Sequence, residues 1–365
     1  MRLRSRVPIA LLAALAAVGV LASCSRSSDS ESSGSGSAAA TSPAAELRLG
    51  YFPNITHAPA LIGVDKGYFA QELGSTKLTT QTFNAGPDEV NALLGGSLDV
   101  AFIGSSPAIN AFAKSNGEAV RLIAGAASGG AQLVVSKDIT SPEQLKGKTI
   151  ATPQLGNTQD VSLKKWLKAN NLEIATAPDP NKVVVQNLDN PRTLDLFKSG
   201  QIAGGWLPEP WSSRLVDAGA SVLVDERTLW PNGQFPTTVV IVRTAFLQQH
   251  PDAVEALLRG EQKAIDFIAS DPAGAKTAAN DAIKQLSGSA LAPNIVDRAF
   301  TELSFGLDPL AATFPQLSKD SVTAGATQKE TDLHGFLDVT AVNAVLKAAG
   351  KPPVDAAGLD KPKSS

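Results

Sequence analysis

The sequence predicts an α/β protein of two similar lobes, and three observations lead there. Short apolar runs alternate with amphipathic stretches, the pattern of strands threaded between helices in a largely parallel sheet. One stretch is echoed: Leu93 to Phe102 aligns with Phe197 to Trp206 once Gly96 is set on Gly200, each reading as a helix that stops at glycine and one apolar residue that leads into a strand. Two segments, 129–136 and 235–242, are placed to carry the chain out of one lobe and back, which makes a hinge of two crossings.

Strands are expected at 47–52, 100–103, 122–127, 133–136, 149–152, 183–188, 204–207, 222–224 and 238–242. Between them, Leu163, Trp166 and Leu167 stand at i, i+3 and i+4 behind a polar start, Asn157-Thr158-Gln159-Asp160, so this helix buries one face. Lys164, Lys165 and Lys168 then read as its solvated face. Val254, Leu257, Leu258, Ile265 and Ile268 mark a long helix beginning near Pro251-Asp252, and from there to Ala349 the chain is mostly helical. Residues 46–132 plus 236–350 make lobe one, 133–235 lobe two, and 351–365 a flexible tail.

The first 45 residues stand apart. Arg2, Arg4 and Arg6 precede an apolar run from Val7 to Leu21, and Leu21-Ala22-Ser23-Cys24 follows. This reads as a bacterial lipoprotein signal over 1–23, too short for a committed membrane span and with small residues before the cysteine. Cys24 is the only cysteine in the chain, so it has no intramolecular disulfide partner, and diacylglycerol attached there gives it a purpose. Residues 24–45, rich in Ser, Gly and Ala, read as a flexible tether. The working part is therefore expected outside the cytoplasm, held to the membrane through the lipid on Cys24.

Composition excludes several classes. The formal net charge is −3 and no basic stripe with interleaved aromatics appears, which argues against nucleic acid. Three histidines, one cysteine and no close His/Cys/Asp/Glu cluster leave no conventional metal site. No Walker loop, Gly-x-Ser-x-Gly elbow or Gly-x-Gly-x-x-Gly after a strand is present. No catalytic set and no cofactor are expected.

Gly50-Tyr51-Phe52-Pro53-Asn54-Ile55-Thr56-His57-Ala58-Pro59-Ala60, followed by Lys66-Gly67-Tyr68-Phe69, resembles the opening of solute-binding proteins for sulfonates, taurine and nitrate. Gly104-Ser105-Ser106-Pro107-Ala108, the run from Pro153 to Val161, and Glu209-Pro210-Trp211 keep the same family's order, closest to its aliphatic-sulfonate branch. The resemblance spans about Leu47 to Pro251. It implies a two-lobed periplasmic-binding-protein fold of type II, working as a monomer that delivers a small organic anion, an aliphatic sulfonate first, to an ABC permease and its ATPase. Nitrate, bicarbonate, taurine or a thiamin-pyrimidine precursor are alternatives in the same fold. A ligand-sensing lipoprotein is another, as is an enzyme of the thiamin-pyrimidine type, which the lone cysteine disfavours.

Each matched motif follows a predicted strand and opens a helix, so backbone N–H groups and helix dipoles point into the cleft between lobes and suit an oxyanion. Asn54, Ser105, Ser106, Asn157, Thr158 and Gln159 are the expected donors, although each alone also reads as a helix cap. His57 is either a donor to the anion or a satisfied loop residue. Trp206 either packs on the ligand's carbon portion or belongs to core. Ser128, beside Gly129 and Gly130, either lies where backbone approaches the ligand or marks a flexible hinge. Glu209 repels an anion, so it either bonds across the cleft on closure or meets an amine on the ligand. Arg192 and Arg214 lie in helical stretches and read as surface ion pairs.

Overall fold

The computed structural model describes residues 43–362, so Cys24, the signal and most of the tether lie outside the described residues. Two six-stranded sheets carry the fold. The first contains β1 (Glu46–Tyr51), β2 (Lys77–Thr82), β3 (Val100–Ile103), β4 (Val120–Gly129), β11 (Pro236–Arg243) and β12 (Leu303–Phe305). The second contains β5 (Ala131–Ser136), β6 (Thr149–Thr152), β7 (Ile174–Ala175), β8 (Val183–Asn187), β9 (Gly204–Pro208) and β10 (Ala220–Asp225). Their orders, β12-β4-β11-β3-β1-β2 and β10-β5-β9-β6-β8-β7, make β1, β2, β3 and β11 the counterparts of β6, β8, β9 and β5.

The echo in sequence is thus an echo in topology. Helix Gly86–Leu94 leads through Gly96 into β3, and helix Asn190–Lys198 leads through Gly200 into β9. Both glycines are left-handed, at φ +77° and +70°, where a side chain would be strained. Phe102 and Trp206, third in their strands, are both fully buried.

The sheets are more mixed than expected. β1 pairs in parallel with β2 and β3, and β6 with β8 and β9, but β11 runs antiparallel to β3 and β4, and β5 antiparallel to β9 and β10. The cause is the hinge: each sheet admits a strand arriving from the other, and that strand enters against the local direction. Chain passes from β4 to β5 at Gly130, and from β10 back to β11 through two single-turn helices, Glu226–Leu229 and Pro231–Gly233.

Three strands had no signal in the sequence. β2, Lys-Leu-Thr-Thr-Gln-Thr, is an edge strand, mostly exposed, with one apolar residue and hence no alternation to read. β7 and β12 are only two and three residues long.

Helices Pro251–Ser270, Pro272–Ser287, Pro293–Thr301, Phe314–Thr323 and Thr340–Ala348 cover the first sheet and supply much of its core. The described part of the expected tail is docked there as well. Asn343 exchanges side-chain hydrogen bonds with the Val354 backbone, Leu337 N–H donates to the Leu359 carbonyl, and Ala356 is buried. Alternating apolar contacts too sparse for an element nonetheless pin residues 351–362. At the other end Ala44, expected in the tether, is buried against the same core.

The lysine trio also departs from expectation. Lys164 pairs with buried Asp160 at 2.7 Å, Lys165 with Asp320 at 3.3 Å, and Lys168 donates to the Thr323 carbonyl at 2.5 Å. The last two join helix Thr158–Ala169 to helix Phe314–Thr323, which packs against the first sheet's core, so this face ties the lobes together. An i, i+1, i+4 lysine pattern looks solvated only while the partner helix is unknown.

Candidate functional site

A small cleft opens between the two sheets, with a cavity volume of about 30 Å³. Asn54, Thr56 and His57 reach it from the segment after β1, Gly104 and Pro107 from the turn after β3, and Asn157, Thr158 and Gln159 from the turn after β6. Phe52, Gly86, Pro208, Thr237 and Thr238 complete the lining. Three chain segments that leave strand ends and open helices therefore converge here, bringing unpaired backbone donors and the positive ends of helix dipoles. No Asp, Glu, Lys or Arg lines the cavity. Its electrostatics come from neutral donors and dipoles.

The lobes approach closely enough to bond across this cleft. Ser106 N–H donates to Thr158 Oγ1 at 3.4 Å, Thr56 N–H to the Glu209 carbonyl at 3.4 Å, and Trp211 Nε1 to Asn54 Oδ1 at 2.9 Å. Gly104 permits the approach, since a Cβ there would stand 2.4 Å from Thr158 Oγ1.

His57 is buried, its ring 4.3 Å from that of Phe52, and Nδ1 accepts the Phe52 N–H at 3.3 Å. Burial holds its pKa well below the ordinary value, at about 3. The neutral ring must then carry its proton on Nε2, which makes that nitrogen a donor in the cavity wall. Asn157 caps its helix by accepting the Asp160 N–H and donates to Gln159 Oε1 at 3.2 Å. Thr238 Oγ1, in the lining, meets no partner; Ser105 and Ser106, between Gly104 and Pro107, are buried with hydroxyls that meet none either, but they do not line the cavity. Buried polar atoms are ordinarily paired, so the unpaired Thr238 hydroxyl leaves this cleft able to bond a polar group.

Three expected residues lie elsewhere. Trp206 sits inside lobe two, 6.2 Å from Trp166, with its indole N–H donated to Glu226 Oε2 at 2.9 Å. Position 206 is inside the strand, where its face packs into that core, and it is Pro208, on the same face but at the strand's end, that reaches the cleft. Ser128 Oγ accepts the Phe235 N–H at 3.2 Å and braces the two crossings. Glu209 is fully buried. Its carboxylate takes Arg298 Nη1 at 2.8 Å and the Ser213 N–H at 3.2 Å, so it has no amine of a ligand to meet. Burial pushes its pKa up, and the serines and Arg298 pull against that. Arg298, on helix Pro293–Thr301, also holds Gln132 Oε1 at 2.5 Å. It is the clamp that sequence reasoning missed, because nothing local marks a helical arginine as the partner of a carboxylate 89 residues away. Arg214 feels the charge of Asp195, and its guanidinium stacks 4.4 Å from the Trp211 ring. Thr56, Thr237 and Thr238 were missed as well, although Thr56 stands inside the motif that carried Asn54 and His57.

Two lobes, a two-strand hinge and a cleft between the sheets define the periplasmic-binding-protein class of fold. The chain belongs to the NMT1-like family, whose model matches residues 40–283. It is 31% identical over 204 residues to the taurine-binding periplasmic protein of Escherichia coli K12, a match covering 55% of this chain and 60% of that one. Among solved structures it is similar to the alkanesulfonate-binding protein SsuA of Xanthomonas axonopodis pv. citri bound to MOPS, with a TM-score of 0.63 and 21% identity over 80% of this chain and 96% of that one. The nitrate-binding protein NrtA of Synechocystis PCC 6803 gives a TM-score of 0.68 at 15% identity, covering 85% and 90%. At such identities these likenesses establish the fold.

Among the described residues no helix is long and apolar enough to cross a membrane, and no group of three or more His, Cys, Asp or Glu is placed to hold a metal ion.

Proposed function

We propose that this chain is the solute-binding component of an ABC importer, lipid-anchored at Cys24 outside the cytoplasm, that captures a small oxyanion between its lobes. An aliphatic sulfonate with a short tail fits best. The observation that carries this is the cavity itself: segments opening three helices, the unpaired Thr238 hydroxyl and a neutral His57 donor converge where no charged side chain stands. A monoanion needs no countercharge when several neutral donors each contribute about 1.5 to 3 kcal/mol to a charged acceptor. Capture and release, without chemistry, is the task this reading assigns.

The same lining argues against taurine. Its ammonium would require a carboxylate, and Glu209, the nearest in sequence logic, is committed to Arg298. A second reading, a planar inorganic anion such as nitrate or bicarbonate, is favoured by the volume of about 30 Å³, space for only a few water-sized groups.

Calorimetry with methanesulfonate, hexanesulfonate, nitrate, bicarbonate and taurine separates these. Methanesulfonate is expected to bind, taurine far more weakly. Tight binding of taurine with no measurable methanesulfonate signal would reject the proposed ligand class.

A further inference from the structure

We propose that Trp211 is the positioning residue that aims Asn54 at the ligand, and that it does so only when the lobes are closed. The proposal rests on reading the cavity as an oxyanion site. An asparagine amide has an acceptor oxygen and a donor nitrogen of nearly equal shape, and either could face a ligand. An indole N–H can only donate, so the atom it meets at 2.9 Å must be Oδ1. The Nδ2 group is thereby assigned as the free donor of a residue that is 5% exposed and lines the cavity. For an anion this decides between attraction and repulsion.

The bond spans the lobes. Asn54 follows β1 in lobe one, whereas Trp211 opens a short helix packed on β9 and β5 in lobe two. Opening the hinge must break it, which frees the amide to turn. Trp211 itself is held in place by Arg214, whose guanidinium lies over the ring. Trp211 does not line the cavity and is not a ligand contact. It acts through Asn54 and couples closure to the polarity of the site.

The experiment uses Trp211→Phe, Asn54→Ala, the double variant and Asn54→Asp, each checked by circular dichroism and thermal melting, with methanesulfonate as probe in stopped-flow and calorimetry. Trp211→Phe keeps the ring and loses the N–H. It is expected to weaken binding about tenfold, entirely through faster dissociation, since the bond is absent when ligand first meets the open protein. In the Asn54→Ala background the same change should cost nothing further. Asn54→Asp, which can still accept from the indole but offers no donor, should abolish binding. Additive losses, a slower association with unchanged dissociation, or a silent Trp211→Phe would each overturn the proposal. If the parent chain binds no methanesulfonate, the functional reading has failed separately. The bond is then read, in protein saturated with whichever of hexanesulfonate, nitrate, bicarbonate or taurine binds, from the 5-fluorotryptophan NMR signal of Trp211, which Asn54→Ala must shift; an unmoved signal overturns the proposal.

Discussion

Lys164→Met should both destabilise the protein and weaken anion binding, despite a position that looks harmless in sequence. Asp160, on the first turn of helix Thr158–Ala169, is fully buried and accepts from Thr152 Oγ1 at 3.0 Å, the Gly156 N–H at 2.9 Å and Asn187 Nδ2 at 2.9 Å. Among the described residues Lys164 is its cationic partner, at 2.7 Å, with side-chain exposures of 16% and 1%. At an effective dielectric constant of about 20 their gross attraction is about 6 kcal/mol. Breaking a buried pair costs about 3 to 5 kcal/mol when the remaining charge has nothing else. Here three neutral donors and the helix N-terminus still hold Asp160, so the net loss should be about 2 kcal/mol in urea unfolding. The uncompensated carboxylate would also stand in the same first turn as Thr158, two residues on, where it opposes an anion, and methanesulfonate affinity should fall about fivefold or more. Adding Asp160→Asn to Lys164→Met should restore much of the affinity by removing the charge. Parent-like stability and affinity in Lys164→Met would refute the argument, as would a double variant that binds no better than the single one.

Thr158→Ala should weaken methanesulfonate binding by about 1 to 3 kcal/mol in calorimetry, because a buried donor and the acceptor of the Ser106 N–H vanish together; a silent variant would move the site elsewhere. With His57 neutral down to about pH 3, affinity should be flat from pH 5 to 8, and a break near pH 6.5 would show an imidazolium in the cavity. Burial pushes Glu226 up from 4.5 to about 8, so it stays protonated in the folded chain while the unfolded chain ionises. Its contribution is full below pH 4.5 and is lost as pH rises to about 8, a difference of about 4 to 5 kcal/mol at about 1.36 kcal/mol per unit. Glu226→Gln, measured by urea unfolding at pH 5 and pH 8, should lose that decline; an unchanged slope would contradict it. Cys24→Ser should abolish incorporation of labelled fatty acid into the chain in cells, and equal labelling would sink the lipid-anchor proposal.

Much of the fold was legible because its signals are local. Nine strands announced themselves as apolar runs, whereas β2 lacked alternation and β7 and β12 lacked length. The left-handed glycines at 96 and 200 carried the repeat across a gap of 104 residues, since each ends a helix in the same way whatever its surroundings. Asn54, His57, Asn157, Thr158 and Gln159 could be named in advance for a related reason: a strand end that opens a helix points its donors outward in any sheet of this kind.

What stayed hidden depends on pairs distant in sequence. Lys165 and Asp320 are 155 residues apart, Arg298 and Glu209 are 89, and Trp211 and Asn54 are 157, and in each the two residues belong to different lobes. Every one of these bonds bridges the lobes in the closed arrangement, so each one lost on opening must be offset by solvent. That places the division between legible and hidden on a functional line. Most residues that line the cleft sit in contiguous motifs, because the backbone donors and the polar side chains beside them come from the same turn. Residues that set how readily the cleft shuts are scattered, because closure is a relation between lobes and no single segment contains it. Two chains could therefore share all three motifs, take the same anion and still differ widely in affinity, the difference lying in positions such as Arg298, Lys165 and Trp211 that touch no ligand.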